Sequence, residues 1–154
     1  MQRVEWVKRR QDSHALGFAR FRILVLSVYM DDRLLLARVR RQYGCDLRFT
    51  SSPEVGLTLA SQTHYDLIFC DRNQPGYPWR EVMEGLVARS PRSCVLLVSD
   101  ISDDLLWRDV LQLGGYGVLV RPLRDAAILQ AVESVLRFLS PESRLGDETL
   151  PHCV

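Results

Sequence analysis

Residues 65–76, Tyr-Asp-Leu-Ile-Phe-Cys-Asp-Arg-Asn-Gln-Pro-Gly, end an apolar run on a carboxylate and turn at once through Asn, Pro and Gly. The run is too short to be a helix of its own and reads as a buried strand that delivers Asp71 to its C-terminal end. In open parallel α/β sheets the chemistry sits in the crevice outside the carboxyl ends of the strands, which makes Asp71 a candidate functional residue. Its plainer role is to start the turn that follows the strand. Three further apolar runs end in the same manner. One closes on Ser27 and Val28, one on Ser99 and Asp100, and one on Arg121 with Pro122 behind it. A planar guanidinium suits the clamping of a carboxylate in two places, so Arg121 facing Asp71 predicts an ion pair; the alternative is an Arg121 that points to solvent.

Several chemistries are disfavoured. Cys45, Cys70, Cys94 and Cys153 show no CxxC spacing, and Cys70 and Cys94 fall inside apolar runs, so they read as reduced thiols packed as small hydrophobes. His14, His64 and His152 are scattered and suggest no metal cluster. Residues 27–30 contain no glycine with which to cradle a phosphate, which weakens a nucleotide or flavin site after the first strand. Lys8 is the single lysine, so lysine chemistry is absent from the folded part.

The elements that must position these residues follow from the hydrophobic pattern. Strands are predicted at 23–27, 46–50, 67–71, 94–98 and 117–120. Helices are predicted from Asp31 as N-cap to Tyr43, with Gly44 just beyond; from Ser52-Pro53 through Ala60; from Trp79 to Arg89; from Asp103 to Leu113; and from Asp125 to Leu139. The 46–50 strand alternates and belongs nearer an edge, whereas three of the others are apolar on both faces. The prediction is an α/β doubly wound parallel sheet of flavodoxin-like order 2-1-3-4-5, with helices on both faces. That order gathers Ser27, Val28, Asp71, Ser99, Asp100 and Arg121 around one crevice.

The 154 residues fit one domain at 22–139, preceded by an N-terminal extension at 1–21, either an extra helix or a basic arm, and followed by a C-terminal tail at 140–154. A net charge of +1 with 25% charged residues describes an ordinary soluble protein, without a nucleic-acid footprint. No apolar run reaches membrane length and no signal peptide is evident, so a cytoplasmic location is expected.

In order and in register, these landmarks resemble the receiver domain of two-component response regulators, over roughly Arg22 to Leu139. Asp71 falls on the phosphoaccepting aspartate, within a stretch similar to the family's strand-Asp-x-x-x-Pro-Gly turn. Ser99 falls on the small hydroxyl residue that contacts the phosphoryl group, and residues 114–122 look like the Gly-rich approach to the family's Lys-Pro pair. The departures are as informative. The two acids that hold Mg²⁺ in receivers are here Ser27 and Val28, the lysine is Arg121, and the switching aromatic of the fifth strand is Val118. Asp31 and Asp32 lie close by but read as helix N-terminal capping.

The resemblance therefore implies an atypical, or pseudo-, receiver that is no enzyme and signals by protein contacts without Mg²⁺-dependent phosphorylation. Its contact face would be the fourth helix, the fifth strand and the fifth helix, with Trp107, Arg108 and Val118 as candidate contacts. The partners would be a histidine kinase, a separate output protein or a second copy of the chain, since no DNA-binding helix-turn-helix follows Leu139. The competing reading is a conventional but slow receiver, phosphorylated on Asp71 by a histidine kinase, with Asp100 or waters completing a weak Mg²⁺ site. A third class, a small flavodoxin-like enzyme or cofactor carrier, lacks the phosphate loop. Trp79 and Tyr77 read as either partner anchors or a lid over the Asp71 turn.

Overall fold

The computed structural model describes residues 21–139. The readings made for the N-terminal extension, for the tail and for Cys153 lie outside these residues. The described chain runs β1 (Arg22–Leu26), α1 (Met30–Tyr43), β2 (Asp46–Thr50), α2 (Pro53–Gln62), β3 (Leu67–Asp71), α3 (Trp79–Arg89), β4 (Cys94–Ser99), α4 (Asp104–Gln112), β5 (Gly117–Val120) and α5 (Asp125–Leu139). All strand pairs are parallel and the sheet order is β2-β1-β3-β4-β5.

Local chemistry sets the helix ends. The Ser52 hydroxyl accepts the Val55 N–H at 3.2 Å, with Pro53 opening α2, and the Asp103 carboxylate accepts the Leu106 N–H at 2.8 Å to open α4. Gly44 ends α1 in the left-handed region at φ 72°, its N–H donating to the Arg40 carbonyl at 2.7 Å. The N-terminus of α1 differs from the expectation. Tyr29, not Asp31, occupies the N-cap position and makes no side-chain cap, so Asp31 and Asp32 both fall in the first turn.

Alternate side chains of the strands feed two cores. Ile23, Val25, Leu67, Phe69, Leu96 and Val98 pack against α1 and α5 through Leu36, Val39, Ile128 and Val135. Leu24, Leu26, Ile68, Cys70, Val95 and Leu97 pack against α2, α3 and α4 through Ala60, Met83, Leu86, Leu106 and Val110. Trp79 is buried within the second core, so it is neither lid nor anchor, whereas Tyr77 stays exposed. Val118 is buried there as well, which corrects its assignment as a partner contact: its side chain points into the core and not out of the sheet edge. Trp107 is half-buried and lies against Gly117, where a Cβ would come within 3.0 Å of the indole. No helix among the described residues is long and apolar enough to cross a membrane.

The register levels the strand ends that matter. Asp71 pairs with Val98, and Ser99 with Val120, so the C-terminal ends of β3, β4 and β5 finish together at one edge. The close approach of α2 to β1 helps hold that edge in place. A Cβ on Gly56 would stand 2.5 Å from a methyl of the fully buried Leu26, immediately before Ser27. Gly56→Ala should therefore lower stability by about 1–3 kcal/mol, overpacking outweighing the better helix propensity of alanine. Urea denaturation of the two proteins measures this.

Candidate functional site

At the C-terminal edge of the sheet Asp71 is completely buried. One of its carboxylate oxygens accepts the Asn73 N–H at 2.7 Å, and the other accepts Nη2 of Arg121 in a short charged contact. Arg121 reaches Asp71 because its own N–H donates to the Ser99 carbonyl at 2.8 Å, prolonging the β4–β5 ladder by one residue and turning the side chain inward. Its side chain is only 12% exposed, so the alternative of a solvent-pointing arginine does not hold.

The same Nη2 donates to Oδ2 of Asp32 at 2.8 Å. That corrects the reading of Asp32 as a capping residue. With α1 starting at Met30, Asp31 and Asp32 point about 100° apart around the axis, so one faces water and the other faces the sheet. Asp32 is buried, and the Ser27 hydroxyl donates to its Oδ2 at 2.9 Å. The signal for this lay in the helical phase: Asp32 stands four, seven and eleven residues before Leu36, Val39 and Tyr43, on the stripe that faces the sheet.

The remaining predicted residues separate. Ser27 joins the site, accepting the Tyr29 N–H at 3.0 Å as well as bonding to Asp32. Val28 is 46% exposed and takes no part. The buried Ser99 hydroxyl accepts the Ile101 N–H at 3.2 Å and an Arg72 N–H at 3.4 Å. Asp100 stays at the rim, with a carboxylate oxygen 3.6 Å from Nη1 of Arg121. Pro122 is exposed behind Arg121, and Trp107 and Arg108 lie on α4. Tyr29, which the sequence did not single out, places its ring 4.2 Å from the Arg121 guanidinium, and its hydroxyl accepts an Asn73 side-chain N–H at 3.1 Å.

Burial pushes the Asp71 carboxyl above its ordinary value, and the Asn73 amide and Arg121 only partly offset this. For Arg121, burial acts to lower the value, but the carboxylates of Asp32 and Asp71 outweigh it and raise the net value. Burial pushes the Cys70 thiol up to about 12 and the Cys45 thiol up to about 11, which disfavours the reactive thiolate at both.

The Mg²⁺ that the resemblance implies does not fit this donor set. A hard divalent ion needs several free oxygens in near-octahedral array. Ser27 and Val28 supply no carboxylate, each Asp71 oxygen already accepts a protein donor, and the Asp32 oxygen nearest Arg121 accepts two.

The raised Asp71 value fixes the sign of a pH effect. Between the ordinary aspartate value of about 3.9 and the raised one, the folded state holds more protons than the unfolded chain, so this group's contribution to stability falls as pH rises. Asp71→Asn removes that term. Its stability should gain on the wild type as pH climbs from roughly 4, and the gap should then level off once Asp71 is ionised in both states. Denaturation midpoints taken across that range check it; a variant that loses stability relative to the wild type as pH rises would have the wrong sign.

No protein-family model and no curated protein sequence matches the chain. Solved structures do. A two-component response regulator from Clostridium difficile superposes with a TM-score of 0.72 at 19% identity, covering 79% of this chain and 100% of its own. A CheY-like receiver domain protein from Methanospirillum hungatei gives 0.68 at 17%, covering 84% and 100%. The chemotaxis protein CheY4 of Vibrio cholerae gives 0.69 at 17%, covering 76% and 99%. These likenesses establish the architecture: the chain has the flavodoxin-like fold of response-regulator receiver domains.

Proposed function

We propose that this chain is an atypical receiver module, which acts in signal transduction through protein contacts and without a Mg²⁺-dependent phosphorylation cycle. The observation that carries this reading is the Arg121 guanidinium bound directly to the buried Asp71. Phosphoryl transfer to a carboxylate demands a free oxygen for attack and cations on the equatorial oxygens of the transferring group. Here the carboxylate oxygens of Asp71 are engaged by Asn73 and Arg121, and the guanidinium takes up the approach. Loss of one good electrostatic element alone slows such chemistry by about 10² to 10³.

The module then works as a fixed shape offered to a partner. The face of α4, β5 and α5 supports this, because Leu105, Leu111, Val120 and Phe138 are exposed large apolar residues on those elements and Arg108 is exposed among them. A separate output protein, a histidine kinase or a second copy of the chain fits such a surface in the cytoplasm.

A conventional receiver phosphorylated on Asp71 is favoured by one observation. Asp71 and the Ser99 hydroxyl do end adjacent strands at the same edge, and Asp32 brings a second carboxylate to it. Intact mass after incubation with a small phosphodonor and Mg²⁺ separates the two readings, with Asp71→Asn as control. The proposed function requires that no adduct form under conditions that label an ordinary receiver. An adduct that disappears in Asp71→Asn would establish the conventional one.

A further inference from the structure

Two buried carboxylates from different elements converge on a single nitrogen. Asp32 comes from the first turn of α1, Asp71 from the end of β3, and Nη2 of Arg121 serves both from beyond the end of β5. Their other partners are neutral donors, the Ser27 hydroxyl and the Asn73 amide. Two carboxylates sharing a buried site cannot both stay ionised without a cation between them. The cation present is tightly held. The Tyr29 ring lies across the guanidinium at 4.2 Å and is tied by its hydroxyl to Asn73, which closes the site on the solvent side. A planar fork has a defined direction, so a second anion on one of its nitrogens sets where the whole group lies.

We propose that Arg121 is the crevice's built-in cation, engaging the oxygens that a divalent ion would need, and that Asp32 is the positioning residue that fixes it there. This rests on the reading of the site as a fixed ion pair and adds to it what does the fixing. The joint ties α1 to β3 and β5 whether or not divalent ions are present. The module's shape therefore answers to the loss of a member of the cluster and not to Mg²⁺.

Melting curves with and without millimolar Mn²⁺ test this on the wild type, Asp32→Asn, Arg121→Met and the double variant. The wild-type Tm should not move with Mn²⁺. Arg121→Met should lower the folding equilibrium constant about a hundredfold or more at neutral pH, since it leaves two buried carboxylates without a counter-charge. It should also acquire a Tm that climbs with Mn²⁺, because the ion now binds the folded state, and the double variant should lose that response. Asp32→Asn should destabilise the wild type but not the Arg121→Met background, a coupling that simple loss of packing would not produce.

A wild-type Tm raised by Mn²⁺, a folded Arg121→Met indifferent to it, or additive effects of the two substitutions would each overturn the proposal. Should Arg121→Met fail to fold, the wild-type arm still decides. Failure here is distinguishable from failure of the proposed function. A wild type that binds Mn²⁺ yet takes no phosphoryl adduct removes the built-in cation alone. An adduct on Asp71 in a protein indifferent to Mn²⁺ removes the absence of phosphorylation alone.

Discussion

A carboxylate taken wholly out of water must find a counter-charge inside the protein, and the C-terminal edge of this sheet is arranged around that requirement. Asp71 ends β3 with no exposure at all. Removing such a charge from water carries a penalty of several kcal/mol, which only close, well-directed donors offset. The donors are one backbone amide and one guanidinium. To bring Arg121 there, β5 must pair with β4 in a register that carries the ladder past Ser99, and α1 must turn to the sheet the face that carries Asp32 with Leu36 and Val39.

A buried ion pair is weak support for net stability, since hydrophobic residues of similar volume often serve as well or better. Its value lies in uniqueness. Breaking it from one side exposes the other partner to a penalty of about 3–5 kcal/mol, so alternative arrangements of the crevice are strongly disfavoured. Ser27 and Tyr29 add to this by holding the two partners on the α1 side, the first through Asp32 and the second across the guanidinium. A receiver fold whose crevice is closed in this way offers its partners one surface.

Much of this architecture was legible in the residues because burial and turn chemistry leave local marks. Fully apolar runs at 67–70 and 94–98 mark central strands, Ser52-Pro53 marks a helix start, and Gly44 marks a helix end. The pairing of Asp71 with Arg121 was also legible, because strand order alone brings the ends of β3 and β5 to one edge. What escaped depended on rotation about an axis. Asp32 was read as a cap from its acid type and first-turn position, although its helical phase puts it on the stripe of Leu36, Val39 and Tyr43. Val118 was placed on the surface by its position near a contact face, although the side-chain alternation of β5 turns it into the core. Tyr29 carried no signal, since its contact with Arg121 joins residues far apart in the chain.

The central claim is that Arg121 is immobilised by carboxylates in the crevice, and the guanidinium protons report on this directly. Side-chain ¹⁵N–¹H spectra of the arginines should show Arg121 with separate, slowly exchanging Nη resonances at neutral pH, unlike the averaged signals of exposed arginines such as Arg92 and Arg108. An Arg121 signal averaged with the rest would mean a freely rotating guanidinium in contact with water, and would contradict the account.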